Sequence, residues 1–151
     1  GERIGYAAIN PAHPGAGALF GAMAFSNRIL GYVNAPAMMQ LLVGQLQGVR
    51  VDPELYRRRR DLLVEGLNEA GWPMEAPEGA FYLFPATPIP DDVAFVQLLK
   101  EKNVLVVPGR GFGRPGHVRI CYCVAEEVIE RSLPRFREAL QQLRGSAAVP
   151  V

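Results

Sequence analysis

The apolar positions of this chain change their period several times, and each change predicts an element. Residues 3–9 are a short, largely apolar run that predicts a buried strand, stopped by Asn10-Pro11-Ala12-His13-Pro14-Gly15. Leu19 to Leu30 is rich in Ala, Met and Phe and predicts a helix ended near Gly31. Pro36 opens a second helix, about Pro36 to Gln47, with Asn34 or Ala35 near its cap. Met38, Met39, Leu41, Leu42 and Leu46 make it apolar nearly all round, the pattern of a helix that is buried or packs on another chain. Asp52-Pro53 is a strong helix start, and the helix runs to about Ala70 with Leu55, Leu62, Leu63, Leu67 and Ala70 as its inner stripe. Gly71 is its C-cap.

Beyond Trp72-Pro73 the punctuation becomes denser. Gly79 to Pro85 predicts an aromatic strand, and Asp91 or Asp92 caps a helix over Asp92–Lys102 with Val93, Val96 and Leu99 inward. Val104 to Val107 predicts a buried strand ended by Pro108-Gly109, and 117–123 the next strand. A last helix, Ala125 to Arg144, carries Ile129, Leu133, Phe136, Leu140 and Leu143 as a coiled-coil-like stripe, and Pro134 within it predicts a kink or a late start. Strand, helix, strand, strand, helix is a small α+β domain, with Leu62, Leu67, Phe84, Val106, Ile120, Phe136 and Leu140 as its expected core.

Composition narrows the class. The chain has 151 residues and is 49% hydrophobic, so it can build a core. Its net charge of +1, from 16 basic and 15 acidic residues, gives no bulk reason to expect nucleic acid or an anionic membrane as partner. Arg57-Arg58-Arg59-Arg60 reads as a solvated helix face, with Glu54, Asp61 and Glu65 nearby for pairing. Cys121 and Cys123 are spaced to share one strand face, as half-buried thiols rather than a disulfide. His13 and His117 form no ligand-spaced set with them, so no metal is expected. With no apolar run of bilayer length and no signal peptide, the expected location is cytoplasmic.

Two arginines stand apart as candidate chemistry. Arg3 sits on the rising edge of the first apolar run, and Arg119 alternates with apolar residues in His117-Val118-Arg119-Ile120-Cys121-Tyr122. A strand with one apolar face can aim an arginine from the other into a cleft, where the planar guanidinium holds a carboxylate or phosphate through two parallel hydrogen bonds. A surface salt bridge is the competing reading for either one alone. Gly109-Arg110-Gly111-Phe112-Gly113 lacks the Gly-Lys-Ser/Thr ending of a phosphate loop and reads as a turn that positions Phe112.

In order, Glu2-Arg3-Ile4-Gly5-Tyr6, Gly79-Ala80-Phe81-Tyr82, Val106-Val107-Pro108-Gly109-x-x-Phe112-Gly113 and Val118-Arg119-Ile120 form a series. It resembles the C-terminal half of a class I/II aminotransferase, a fold-type I pyridoxal phosphate enzyme, over nearly the whole chain. The resemblance implies a small mixed sheet packed with helices plus a remnant of the large domain. Its divisions would be 1–50 for that remnant, 51–71 for a connecting helix, 72–145 for the C-terminal small domain and 146–151 for a tail. It implies that Arg3 binds the phosphate of pyridoxal 5'-phosphate, that Arg119 clamps the substrate α-carboxylate, and that Phe81 lines the substrate pocket. It further implies an amino acid and a 2-oxo acid as substrates and a homodimer, whose mate approaches near Asn34-Ala35-Pro36.

The resemblance has one gap. The only lysines, Lys100 and Lys102, lie in a predicted helix and not at the family's catalytic position, so the Schiff-base lysine is expected before Gly1 and the chain alone is expected to be inactive. No arginine stands at Tyr32 to Pro36, which disfavours a dicarboxylate substrate. An aminotransferase-like effector domain of a transcription regulator, a lyase or synthase on the same fold, and a bare interaction module remain the alternatives. Retention of both arginines argues against the last.

Overall fold

The computed structural model describes residues 3–147. The last four residues of the expected tail, and Gly1-Glu2 of the first motif, lie outside them. Helices α1 (Ala16–Ile29), α2 (Ala37–Gln45), α3 (Pro53–Glu69), α4 (Asp92–Glu101) and α5 (Glu126–Ala147) combine with strands β1 (Tyr82–Leu83), β2 (Val107–Pro108) and β3 (Val118–Cys121). The chain divides into two compact units, one up to Val51 and one from Asp52.

The first unit holds α1 and α2. Gly31, at φ 84°, closes α1 in a left-handed turn, with the Tyr32 amide donating to the Asn27 carbonyl. Pro36 is the N-cap of α2, one residue before the helix it was expected to open. Neither helix has a buried residue. The strand expected over 3–9 is absent: these residues form no regular element and pair with no neighbour among the described residues. A strand exists only where another edge takes up its amides and carbonyls, and the described first unit has no such edge.

The second unit is built around a stripe-to-stripe contact of α3 and α5. Asp52 caps α3 by accepting from the Glu54 amide at 3.0 Å, with Pro53 at the first helical position. Gly71, at φ 84°, ends it, and the Trp72 amide donates back to the Leu67 carbonyl. Leu63, Val64, Leu67 and Ala70 of α3 meet Ile129, Phe136, Ala139 and Leu140 of α5 in one core. Helix α5 starts at Glu126 and runs through Pro134, so the late start is not seen. Pro134 and Glu130 are both solvent-exposed, so water can take the carbonyl that the missing N–H leaves unpaired.

The sheet is three-stranded and antiparallel, in the order β1-β3-β2. Val118, Ile120 and Tyr122 face the core, so Arg119 faces away from it. The strand expected at Val104 to Val107 is displaced to Val107–Pro108, and the reason is local. Asn103, at φ 60°, caps α4, and the Val104 amide is spent on the Leu99 carbonyl. Val104 is buried but unavailable for a ladder until the chain has turned. Within α4 the inward residues are Phe95 and Leu99, whereas Val93 is exposed. Phe84, expected in the core, is also exposed. Trp72 fills the gap between α4 and α5, its ring 5.1 Å from Phe95 and edge-on to it, with its indole N–H donating to the Ala86 carbonyl at 2.9 Å.

Candidate functional site

The site is assembled on the outer face of the sheet. Arg119 lies on β3 opposite Val107 of β2, and Tyr82 of β1 pairs with Cys121. That register puts Tyr82 diagonal to Arg119 on the same face, within reach of a long side chain. The Arg119 guanidinium carbon sits 4.4 Å from the Tyr82 ring centre and 4.1 Å from that of Phe112. Both rings are thus within cation–π contact of the guanidinium. The Arg119 side chain makes no hydrogen bond or ion pair among the described residues, so the planar edge of its N–H groups is uncommitted. A guanidinium in this state can receive a carboxylate by its edge while the rings fix its plane.

Phe112 reaches Arg119 because of how the glycine-rich turn is held. Gly109–Phe112 is a short 3-10 helix, and Gly113, at φ 74°, reverses the chain after it. Gly109 is buried, and any side chain there would run into the carbonyls of Arg114 and His117. Arg110 reaches back to the start of α4. Its amide donates to Asp92 Oδ2 at 2.9 Å, and its Nε and Nη2 donate to Asp92 Oδ1 at 2.8 and 2.6 Å. Its Nη2 also meets Asp91 Oδ1 at 3.1 Å. Asp91 itself caps α4 through the Val93 and Ala94 amides. The Asp92 side chain is wholly buried, and the Arg110 hydrogen bonds hold its carboxyl below the usual aspartate range. Phe84 stands edge-on to Phe112 at 6.1 Å and stacks on His117 at 5.6 Å.

Phe81 is exposed, its ring 4.5 Å from Tyr82. It follows Ala80, a non-glycine residue at φ 64°. The buried Tyr122 hydroxyl donates to the Ala80 carbonyl at 2.9 Å and helps keep that turn in place. Burial also raises the Tyr122 hydroxyl above the ordinary tyrosine range.

Arg3 lies in the first unit, exposed and at φ 50°, without a hydrogen bond or ion pair among the described residues. An open cleft of 730 Å³ begins at its neighbour Ile4 and is lined also by Tyr6, Asn34 and Gln40. Arg3 itself does not line this cleft, and the residues that do carry no charged group for a phosphate. No group of three His, Cys, Asp or Glu among the described residues could hold a metal ion, and no described helix is long and apolar enough to cross a membrane.

Cys121 and Cys123 are both exposed, rather than half-buried, with their sulfurs 3.1 Å apart. The two thiols share the outer face because the alternate positions, Ile120 and Tyr122, are taken by the core. Of the arginine run, Arg57 pairs with Glu54 at 2.6 Å and Asp61 at 3.8 Å, Arg58 with Glu126 at 3.6 Å, and Arg60 with Asp61 at 2.7 Å. The pairs of Arg57 and Arg58 contribute little and fit the expected solvated face. Arg60, by contrast, is half-buried and also donates to the Pro77 carbonyl at 3.0 Å, and Arg59 Nε is buried without a hydrogen-bond partner among the described residues.

The sequence pointed to Arg119, Phe81 and the turn at Phe112, but it missed Tyr82 as the second ring and Asp92 as the anchor of Arg110. The available signal was the doubled Asp91-Asp92: one aspartate caps α4, which leaves the other free for a different partner.

Comparison with known proteins agrees in direction. The family profile described as aminotransferase class I and II matches residues 1–136, and the chain belongs to that family. It is 47% identical over 94 residues to an aspartate/prephenate aminotransferase of Thermus thermophilus, covering 61% of this chain and 24% of that protein. It is 36% identical over 113 residues to a glutamate-pyruvate aminotransferase of Escherichia coli, covering 72% and 26%. A solved amino transferase structure from Eubacterium rectale superposes with a TM-score of 0.81 at 40% identity, over 94% of this chain and 36% of that one. The chain thus spans about a quarter of the length of these curated relatives, and its fold is the C-terminal portion of a fold-type I aminotransferase. Class I and II aminotransferases depend on pyridoxal phosphate.

Proposed function

We propose that this chain is the substrate-carboxylate side of a pyridoxal phosphate-dependent aminotransferase, an enzyme that moves an amino group between an amino acid and a 2-oxo acid. Arg119 is the clamp for the α-carboxylate. Phe81 lines the substrate pocket, and Arg3 gives one charged contact to the cofactor phosphate. When bound, pyridoxal phosphate supplies an electron sink for the charge that develops at the substrate Cα. The work of this chain's residues is to hold the carboxylate in a fixed plane, so that the Cα–H bond is presented in one orientation. The observation that carries the reading is Arg119 itself, in cation–π contact with both Tyr82 and Phe112 and with its N–H groups uncommitted among the described residues.

The relatives' names include aspartate/prephenate, glutamate-pyruvate and LL-diaminopimelate aminotransferases. Their amino-acid substrates share an α-carboxylate and differ in the side chain. The clamp reading covers all of them and does not choose among them. We also propose that the chain alone does not turn over, because Lys100 and Lys102 sit on the last turn and C-cap of α4, away from the clamp's strand.

Replacing Arg119 by lysine in the enzyme that contains this chain tests the clamp. A point charge replaces a bidentate fork, and losing a charged hydrogen bond costs about 1.5–3 kcal/mol, so amino-acid affinity should fall about ten- to a hundredfold. Cofactor retention should not change. Equal losses in both, or none in either, would remove Arg119 from the carboxylate role. Borohydride treatment of the 151-residue chain with pyridoxal phosphate should fix no cofactor at a single lysine, and a stoichiometric mass gain at one would overturn the second proposal.

A further inference from the structure

We infer that Asp92 and Arg110 are positioning residues for substrate binding: they hold Phe112 against Arg119 and thereby set the plane in which its guanidinium meets a carboxylate. This rests on the reading of Arg119 as the clamp.

No hydrogen bond from a described residue orients the Arg119 guanidinium, so the two rings in cation–π contact with it are what constrains its plane. The two rings are not held alike. Tyr82 sits in a strand and is fixed by the ladder to β3. Phe112 sits on a turn between Gly111 and Gly113, outside the sheet, and is itself half-exposed. The glycines free this turn to adopt its shape but do nothing to hold it there.

What holds the turn is the Asp92–Arg110 pair. Asp92 is the first residue of α4, packed in the second unit's body through Phe95 and Leu99, and it takes both the backbone amide and the side chain of Arg110. A bond to the amide fixes the backbone two residues before Phe112, which a side-chain ion pair alone would not do. Two further backbone bonds close the base of the turn, Gly109 N–H to the His117 carbonyl at 2.7 Å and Arg114 N–H to the Gly109 carbonyl at 3.0 Å. With base and rim both fixed, Phe112 has one place to lie. An exposed salt bridge of no consequence would not have a wholly buried carboxylate at its centre.

The side-chain NMR spectrum of Arg119 in the 151-residue chain reads this directly. The two rings shift its Nε–H and Cδ protons away from their free-arginine positions. Arg110→Met removes the latch and should move those signals part of the way toward the free position, Tyr82 still lying on the arginine, while the amides of Leu63, Leu67 and Ile129 stay in place and report an intact core. Phe112→Leu keeps the latch and removes the ring, and sets the size of that partial shift; Arg110→Gln, which keeps a polar chain but loses the fork, carries the test of the latch if Arg110→Met does not fold. An Arg119 signal shifted as far in Arg110→Met as in the parent chain, or one already unshifted in the parent chain, would overturn the inference.

In the full enzyme, Arg110→Met should raise the amino-acid KM by about tenfold while kcat and cofactor retention stay near wild type. A KM rise in Arg119→Lys without one in Arg110→Met would sink the latch and leave the clamp standing. No KM rise in Arg119→Lys would sink the clamp reading, and this inference with it.

Discussion

The more apolar of the two units is the one whose described helices build no core. Helices α1 and α2 are rich in Leu, Met, Phe and Ala on every side, and none of their residues is buried. Helices α3 and α5 carry far more charge, and they bury Leu63, Leu67, Ile129, Phe136 and Leu140 almost completely. A one-sided stripe tells a helix where its neighbour must be, and α3 and α5 each have one. An apolar helix with no preferred face can form, closed by Gly31 in the case of α1, yet it selects no partner within its own unit. Apolar content drives burial, and it is the arrangement of that content that decides against what.

The largest test of this contrast is a pair of matched truncations. Phe95 is fully buried against Trp72, and Phe95→Ala should cost about 3–5 kcal/mol of stability. Phe20 is 69% exposed, and Phe20→Ala should change stability by no more than about 0.5 kcal/mol. Trp72, the only tryptophan, reports unfolding of the second unit, and circular dichroism follows the helices of the first. A large loss for Phe20→Ala that grows with protein concentration would mean that a second copy covers α1 in solution. A large loss independent of concentration would break the contrast itself.

The same contrast explains what the sequence could and could not reveal. Helix α3 was legible because Asp52-Pro53 and Gly71 mark its ends and Leu63 and Leu67 its face, and α5 because its stripe keeps one period past Pro134. Strand signals were weaker, since a strand is a relation between two segments. Residues 3–9 have the composition of a strand but no partner edge in the described first unit, and Val104 has the burial of one but spends its amide on capping α4. At the site, the sequence gives Arg119 its face by alternation. It cannot show that Tyr82 and Phe112 close on that arginine, because the contact joins β1, β3 and the turn after β2. Nor could it show that Asp92 is taken by Arg110, 18 residues away, rather than by its own helix.

Acid should separate the two units further. Residues 3–51 contain no Asp or Glu, so no carboxylate of that stretch can titrate. In the second unit the Asp92 carboxyl is held below its ordinary value, first by the side-chain hydrogen bonds of Arg110. A lowered folded value means that the stabilisation is fully present above the unfolded aspartate value of about 3.9 and is lost as pH falls through the folded one. Urea midpoints read by Trp72 should therefore fall below about pH 4, and Asp92→Asn should flatten that fall while lowering the midpoint at neutral pH. Helix signal from the first unit should not follow the same curve. A midpoint equally acid-sensitive in Asp92→Asn would assign the loss to other carboxylates, such as Glu54 beside Arg57, whose value is also lowered.

The smallest expected effect concerns the two thiols, both on the second unit's outer face. Their sulfurs are 3.1 Å apart, and the hydrogen bond to Cys121 is the main cause that raises the Cys123 thiol above the ordinary cysteine range. The thiolate is the reacting form, so a raised value slows alkylation at a given pH. Iodoacetamide at pH 8 should label Cys123 more slowly than a free cysteine. Cys121→Ala removes the partner and should speed that labelling about threefold. Peptide mass mapping over a time course gives both rates. The result depends on β3 and the residues after it keeping one register, because a one-residue slip would send Cys121 and Cys123 to the core face and Ile120 and Tyr122 outward. Cys123 labelling at the free-cysteine rate, unchanged by Cys121→Ala, would show that the sulfurs do not stay together and that the ordered face of the second unit ends at Arg119.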